Sequence, residues 1–357
     1  MTYINVELLP WIEKYRPHKI NDILLEENVM NEINNMIKNR NIPNMIITGI
    51  SGIGKTTTLL CIASRLYGKY YKESVLEINA SDERGIKFVQ DSMTVFCKRK
   101  IVYNEKDKDK YANHKLIILD EADNITEKAQ NIISKLIDEY NNTTKFVFTS
   151  NKSSCIIESI QSKCKILMFS QIKYTSIMKR LAYILNKEEI KYDEEGLFNI
   201  AYMSQGDLRH AINLTQLIFN SFGIINIENV NKINELPQFE IIKNLLLDCL
   251  NNKLLLSLNK IKELKQKGFT GIDILSSVLN SLIILNIYEK NKNENEKNKN
   301  IKNENINEKN KMKIIKITCE YLYNISKNID TDLQLSAYII ELCKINEKSE
   351  KNNKNNI

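Results

Sequence analysis

The amino-acid sequence predicts an α/β fold in which a five-stranded parallel sheet is followed by two regions made only of helices. Short apolar runs alternate with helical stretches over the first 170 residues, and a glycine-rich loop joins the first run to a helix. Beyond residue 170, helical periodicity replaces the strand pattern. The predicted strands are Met45–Thr48, Val75–Asn79, Leu116–Asp120, Phe146–Ser150 and Ile166–Phe169.

The loop after the first strand has the pattern G-x-x-x-x-G-K-[ST], from Gly49 to Thr56. Backbone N–H groups of such a loop bind phosphate oxygens, and the next helix adds the positive end of its dipole. We expect Lys55 to reach the β- and γ-phosphates and the Thr56 hydroxyl to hold Mg²⁺. A glycine-rich surface turn is the alternative interpretation. The residues expected to bind ATP in this loop are Gly49, Ile50, Ser51, Gly52, Ile53, Gly54, Lys55, Thr56 and Thr57.

Carboxylates follow the third strand directly. Leu116–Leu119 is apolar without alternation, which is typical of a parallel strand buried on both faces, and it leads into D-E-A-D at residues 120–123. Open α/β sheets bind ligands at the carboxyl ends of their strands. We therefore expect Asp120 to hold Mg²⁺ through water and Glu121 to activate the attacking water. An exposed acidic turn is the alternative.

Asn151 follows the fourth predicted strand. In P-loop ATPases with an additional strand, this strand lies between the P-loop strand and the acidic strand, so its tip faces the γ-phosphate. Asn151 is then expected to bind the nucleotide and to orient the water or sense the phosphate. The alternative is that Asn151 caps the next helix.

The remainder of the chain is predicted to be helical. Three helices, with Asp207 as an N-cap and Arg209 in the first turn of the last, are expected to form a lid. Longer amphipathic helices follow from Phe239. We predict a nucleotide-binding domain at 1–170, a lid at 171–234 and an all-helical domain at 235–350.

Residues 290–312 form a tract composed almost wholly of Asn, Lys and Glu. It has too little apolar surface to order itself, so we predict a disordered insertion in the last domain. A charge-rich functional tether is the alternative.

Bulk properties favour a cytosolic or nuclear ATPase. The net charge of +7 permits a polyanionic partner without requiring one. The N-terminus does not have the pattern of a signal peptide, and no run of 18 apolar residues is present, so no membrane association is expected.

Taken together, the motifs resemble those of the small subunits of replication factor C, the DNA sliding-clamp loader, and most of all the subunit numbered two or four in different naming schemes. The stretch E-K-Y-R-P at residues 13–17 is similar to the family's N-terminal signature, and N-A-S-D-E-R-G-I at 79–86 is similar to a second signature. G-D-L-R at 206–209 is similar to the family's sensor 2. The resemblance covers nearly the whole chain except the Asn/Lys/Glu tract.

The resemblance implies an α/β P-loop AAA+ module with a five-stranded parallel sheet, then a three-helix lid and an all-α collar. It also implies a nuclear hetero-pentamer that uses ATP and Mg²⁺ to load the sliding clamp onto primer-template DNA during replication and repair. Tyr15 and Arg16 would lie over the adenine, and Arg209 would contact the γ-phosphate. Arg84 and Lys87 would face DNA phosphates; local capping or pairing for Arg84 and plain solvation for Lys87 are the alternatives.

One departure from the family concerns the residue that enters the neighbouring subunit's ATP site. The family has Ser-Arg-Cys, whereas this chain has Lys163 at the central position. A second trans-acting Arg is expected where this chain has Ser134 and Lys135. Lysine is a point charge without the planar fork of arginine, so a weaker trans-acting contact is expected.

The sequence therefore predicts an ATPase subunit of a clamp loader, with Glu121, Lys55, Asn151 and Arg209 as catalytic residues. Two alternatives stay open at this point. One is a structural subunit that binds ATP but hydrolyses little, and the other is a different AAA+ remodeller of DNA, such as a Holliday-junction motor.

Overall fold

The computed structural model describes residues 9–81, 86–101, 110–233, 236–282, 308–327 and 331–354, of which 86–90, 309 and 346–354 are described by their backbone alone. Arg84 lies outside these residues. The described residues group into two compact units. The first comprises Met1–Tyr192 and Gly206–Ile225, and the second comprises Asp193–Gln205 and Asn226–Ile357. This grouping is coarser than the three predicted domains, whose boundaries stay a prediction.

The first unit is built on a five-stranded parallel sheet, as predicted. Its strands are ordered β2-β3-β4-β1-β5, so β4 lies between the P-loop strand β1 and the acidic strand β3. Each strand begins and ends within two residues of its predicted bounds. The strands are β1 Met45–Thr48, β2 Val75–Asn79, β3 Lys115–Asp120, β4 Thr144–Ser150 and β5 Lys165–Met168.

Helices cover the sheet of this unit, because the central strands carry apolar side chains on both faces. Ile46, Ile117 and Phe148 belong to a buried cluster that also holds Met93 and Ile133 from two of the helices. The helices of the first unit are α1 Trp11–Lys14, α2 Glu27–Lys38, α3 Lys55–Tyr67, α4 Tyr71–Ser74, α5 Ile86–Lys98, α6 Glu127–Tyr140, α7 Glu158–Gln161, α8 Tyr174–Lys187 and α10 Leu208–Phe222.

A buried lysine joins the start of β3 to the end of α5. Lys115 is 3% exposed, and its ammonium donates to the backbone carbonyls of Phe96 (2.8 Å), Cys97 (2.5 Å) and Arg99 (2.6 Å). All three ammonium protons therefore have acceptors. These carbonyls lie in the last turn of α5 and just beyond it, where a helix has no further N–H donors of its own. The contact fixes the end of α5 against the sheet.

The second unit is helical throughout the part that the structure describes. Asp193 caps α9 by accepting the Gly196 N–H and also accepts the Ile227 N–H at the start of α11. Its helices are α9 Glu194–Met203, α11 Ile227–Lys232, α12 Phe239–Leu250, α13 Leu254–Gln266, α14 at 271–282, α15 Glu308–Ser326 and α16 Asp332–Lys354.

The predicted insertion at 290–312 ends earlier than expected, because α15 already begins at Glu308. Glu and Lys are good helix formers, so the helix that buries Ile314 extends back into the polar tract. The rest of the tract lies outside the described residues. Among those that are described, no helix is both long enough and apolar enough to cross a membrane.

Candidate nucleotide-binding site

The P-loop lies at the carboxyl edge of the sheet and leads into α3. Three of its glycines have positive φ angles that favour glycine: Gly49 (153°), Gly52 (69°) and Gly54 (94°). A side chain at Gly52 would also collide with the Asp207 carboxylate, since a Cβ there would lie 1.6 Å from Oδ1. The loop therefore packs closely against Asp207, and its residues line the cavity at this edge.

Lys55 begins α3 and turns its ammonium toward the loop. It donates to the carbonyls of Gly49 (2.7 Å) and Ile50 (2.8 Å) and to Asn151 Oδ1 (2.9 Å). Burial lowers the pKa of Lys55 and the nearby Arg209 lowers it further, whereas Asp123 and Asp120 act in the opposite direction. Lys55 therefore lies among charged groups of both signs.

Thr56 and Asp120, the two residues predicted to hold Mg²⁺, are in direct contact. The Thr56 hydroxyl lies 2.9 Å from Asp120 Oδ1 and 3.0 Å from Oδ2. The Thr149 hydroxyl of β4 also donates to Asp120. A hydroxyl and a carboxylate that meet in this way supply the oxygen ligands that Mg²⁺ prefers.

Glu121 has a left-handed backbone, with φ of 53°, immediately after β3. Its N–H donates to the Thr149 hydroxyl at 3.0 Å, which holds the residue at the tip of the strand. Non-glycine residues seldom adopt this conformation, and such positions cluster at functional sites. The exposed Glu121 side chain lines the same cavity as Lys55 and Thr56.

Asn151 lies at the tip of β4, and its side chain accepts from Lys55. The next short helical turn, Ser153–Cys155, has Lys152 as its N-cap, so Asn151 does not cap it. Asp123 holds this strand tip, because it accepts from the Ser150 hydroxyl and, at 2.8 Å, from the Asn151 N–H. The fourth residue of D-E-A-D therefore positions Asn151, a role that the sequence analysis missed.

Tyr15, Arg16 and Arg209 line the same cavity. The Tyr15 hydroxyl donates to Glu188 (2.5 Å), and burial together with this hydrogen bond raises the pKa of Tyr15. Arg180 of α8 donates to the Tyr15 carbonyl (2.8 Å) and also lines the cavity. Glu188 and Arg180 were missed because no local motif marks them.

Every residue predicted to bind the nucleotide or Mg²⁺ belongs to the first unit. Those that line one cavity are Tyr15, Arg16, Ser51, Gly52, Ile53, Gly54, Lys55, Thr56, Thr57, Asp120, Glu121, Asn151 and Arg209. Gly49 and Ile50 are linked to this lining because their carbonyls accept hydrogen bonds from Lys55.

The residues predicted to act outside this cavity lie elsewhere. Lys163 precedes β5, and its ammonium contacts Asp138 Oδ2 (2.7 Å) and the Ser134 hydroxyl (2.8 Å) of α6. Lys87 is the second residue of α5, where only the backbone is described. Arg84 lies outside the described residues.

Comparisons with known proteins agree with this architecture. The family model "DNA polymerase III, delta subunit" matches residues 25–173, and "Replication factor C C-terminal domain" matches residues 237–341. Structures of Thermotoga maritima RuvB, a Holliday junction branch migration motor, match with TM-scores of 0.51 and 0.50 at 15% identity, over 64% of this chain and 78% of theirs. At this identity, the likeness shows the fold alone.

Relatives in sequence are closer. The probable replication factor C subunit 2 of Dictyostelium discoideum is 38% identical over 76% of this chain and 79% of its own length. Replication factor C subunit 4 of Saccharomyces cerevisiae is 34% identical over 96% and 98%, and the small subunit of Staphylothermus marinus is 31% identical over 96% of both chains. With a P-loop AAA+ module, a helical C-terminal region and this degree of identity across most of its length, the chain belongs to the replication factor C small-subunit family of clamp-loader components.

Proposed function

We propose that this chain binds ATP with Mg²⁺ and hydrolyses the ATP, as one subunit of a hetero-pentamer that loads a sliding clamp onto primer-template DNA. The observation that carries the proposal is the contact of Thr56 with Asp120 beside Lys55, with Glu121, Asn151 and Arg209 around the same cavity. Nucleotide binding without hydrolysis would not require a carboxylate at the position of Glu121.

The residues present fit ATP and Mg²⁺. Gly52 and Gly54 leave two positions of the loop without a side chain, and Lys55 donates to loop carbonyls that phosphate oxygens would replace as acceptors. When bound, Mg²⁺ neutralises charge on the phosphates. Thr56 and Asp120 would hold it, the latter through water, and Arg209 and Lys55 would contact the phosphate oxygens.

Each remaining polar residue has a separate role in the proposal. Glu121 accepts a proton from the attacking water, and Asn151 orients that water. Tyr15 and Arg16 lie over the adenine. Arg180 and Glu188 position Tyr15 through its carbonyl and its hydroxyl.

Family membership supports a proposal for the partners. We propose that the other subunits are replication factor C subunits, that the complex acts in the nucleus, and that it serves replication and repair. Arg84 and Lys87 are proposed to contact DNA phosphates without reading sequence. The start of α5 at Ile86 is consistent with Lys87 lying in its first turn.

Lys163 is proposed to act at the ATP site of the neighbouring subunit. Its contacts with Asp138 and Ser134 lie on the protein surface, where Asp138 is 65% exposed. Ion pairs of this kind contribute at most about 1 kcal/mol, so a phosphate could replace Asp138 as the partner.

The experiment is reconstitution with the sibling subunits, followed by steady-state ATPase measurements with and without clamp and primer-template DNA. Activity should rise when both are added, and a complex with Glu121→Gln in this subunit should lose this subunit's share. If the Glu121→Gln complex assembles and retains full activity, the proposal that this subunit hydrolyses ATP with Glu121 as the base is wrong.

A further inference from the structure

A second cavity lies at the opposite, amino edge of the same sheet. Its residues end or follow α2, precede β3, or lie at the start of β4 and just before it. The cavity is open and has a volume of ≈ 510 Å³. It is lined by Lys38, Asn39, Arg40, Asn41, Tyr111, Asn113, His114, Asn142 and Lys145.

The described lining of this cavity carries an unbalanced charge. Among the residues that the structure describes, Lys38, Arg40 and Lys145 line it and no carboxylate does. Within the described part of the chain, none of the three forms a salt bridge; Lys145 donates to the carbonyl of Asn141 (2.7 Å). Three cations gathered without an acid repel one another, and a bound anion would remove this repulsion.

Neutral donors complete the lining. Four asparagine amides and the Tyr111 hydroxyl can each donate to an oxyanion. Burial and the nearby Lys145 lower the pKa of His114 to about 4, so this imidazole is neutral at physiological pH. The cationic and amide donors together match an oxyanion with several acceptor oxygens.

Two aromatic residues of the lining pack against neighbouring rings. The Tyr111 ring packs edge-on against Tyr70 (5.6 Å between centroids) and lies so close to Gly68 that a Cβ there would be 2.6 Å from it. His114 packs edge-on against Tyr67 (6.0 Å). These contacts hold the side of the cavity formed by Tyr111 and His114 in place.

Arg40 occupies a position where a smaller residue is usual. It follows the C-terminus of α2 with φ of 50°, and the Asn41 N–H closes the helix by donating to the Met36 carbonyl. Glycine is the usual residue at this left-handed position. Placing an arginine there adds a charge to the cavity at a cost in backbone energy.

We propose that this amino-edge cavity binds a phosphate group, at a site separate from the nucleotide site. The phosphate can come from a free phosphate compound or from the backbone of DNA, because both present the same oxygens. The alternative is that Lys38 and Arg40 only complement the negative C-terminal end of the α2 dipole.

The test uses the full chain, which has three histidines: His18, His114 and His210. With ¹⁵N-labelled histidine, sodium pyrophosphate is titrated in while the imidazole NMR signals are followed; His114→Phe assigns one of them. Binding at the proposed site should shift the His114 signal in a saturable way. A shift of His210 alone, which lies beside Arg209, would report binding at the nucleotide site and would overturn the proposal.

Arg40→Gly separates binding from stability. Glycine suits the backbone at this position, so the variant should fold at least as stably as the wild type. If the site binds phosphate, pyrophosphate affinity should fall roughly tenfold, as expected for loss of one charge-assisted contact. Unchanged affinity would mean that Arg40 serves only the helix end.

Lys145→Gln should likewise weaken binding, whereas Lys179→Gln, an exposed lysine on α8, should not. Equal weakening by both would mean non-specific charge attraction and would overturn the proposal. Short duplex DNA is the second probe: a His114 shift that Arg40→Gly abolishes assigns the phosphate to DNA, and a response to pyrophosphate alone assigns it to a free compound. No response to either probe refutes the site.

Discussion

Lys55 and Lys115 lie at opposite edges of one sheet, and each donates to backbone carbonyls, but their surroundings differ. Lys115 is buried, and three carbonyls at the end of α5 take all its protons. Lys55 lines an open cavity with Asp120 and Asp123 nearby. A lysine ammonium therefore has a structural role where water is excluded, as at Lys115. Where a ligand can enter, as at Lys55, it can exchange its carbonyl acceptors for those of the ligand.

The largest expected effect concerns the nucleotide site at the carboxyl edge of the sheet. Glu121→Gln should slow hydrolysis at this subunit's site by ~10²–10⁴, because a general base typically contributes that factor. ATP affinity and thermal stability should stay near wild type. Single-turnover hydrolysis and nucleotide titration measure the two, and Glu127→Gln, an exposed residue of α6, is the control. Hydrolysis at the wild-type rate would mean that Glu121 is not the base.

The next largest effect concerns Lys115 at the amino edge of the sheet. Lys115→Met should lower the free energy of unfolding by roughly 2–4 kcal/mol, because it leaves three carbonyls, two of them in buried contacts, without a donor. Lys98→Met, an exposed lysine at the end of the same helix, should change it by less than about 0.5 kcal/mol. Urea denaturation of both variants provides the comparison. If the two lose the same stability, the Lys115 contacts are not what holds α5.

His114 should make stability depend on pH at the amino edge. Burial lowers its pKa from 6.5 to about 4, so the unfolded chain binds a proton between these values that the folded chain does not. The contribution of neutral His114 to the free energy of unfolding is fully present above pH 6.5. It is lost as pH falls, and the loss reaches about 3 kcal/mol at pH 4. His114→Phe, which keeps the ring, should flatten this part of the curve. An unchanged slope in unfolding experiments between pH 7 and 4 would contradict it.

Lys55→Met should weaken ATP binding roughly 10- to 150-fold, as expected for loss of a charge-assisted phosphate contact. It should alter the free energy of unfolding much less than Lys115→Met does, which is the sharpest form of the comparison. Lys128→Met is the exposed control. Isothermal titration with ATP and urea denaturation are needed on the same preparations, and a larger loss of stability for Lys55→Met would reverse the assignment.

The smallest effects are expected for Lys163, which is 28% exposed and lies between these two cases. Lys163→Ala should cost at most about 1 kcal/mol of stability. In complexes where only the neighbour's ATP site is competent, Lys163→Ala should lower ATPase activity and Lys163→Arg should raise it, because arginine adds bidentate geometry. If both match the wild type there, Lys163 has no role at that site.

Sequence reasoning found the parts of the nucleotide site that are continuous in the chain. The P-loop, the carboxylates after β3 and Asn151 after β4 follow from strand ends and motif spacing, and the structure brings them together. The contacts of Asp123 with the tip of β4 and of Arg180 with Tyr15 join residues 27 to 165 positions apart. Such pairs depend on how the elements pack, so no local pattern predicts them.

The amino edge was missed for a different reason. His114 and Lys115 are adjacent in sequence, yet one imidazole lines an open cavity and one ammonium is fully paired inside the fold. Alternation along a strand places neighbours on opposite faces, but it does not reveal what each face meets. Cations that gather from the end of α2 and the start of β4, more than 100 residues apart, likewise leave no motif.

The path of the chain between its two units constrains how the protein can be made. The chain leaves the first unit after Tyr192, returns at Gly206 and leaves again after Ile225. A nascent polypeptide that has emerged as far as residue 200 holds the P-loop, Asp120 and Glu121 but not Arg209. The ribosome must therefore expose helix α10 before the nucleotide site is complete, and no single proteolytic cut can release both units with all their helices.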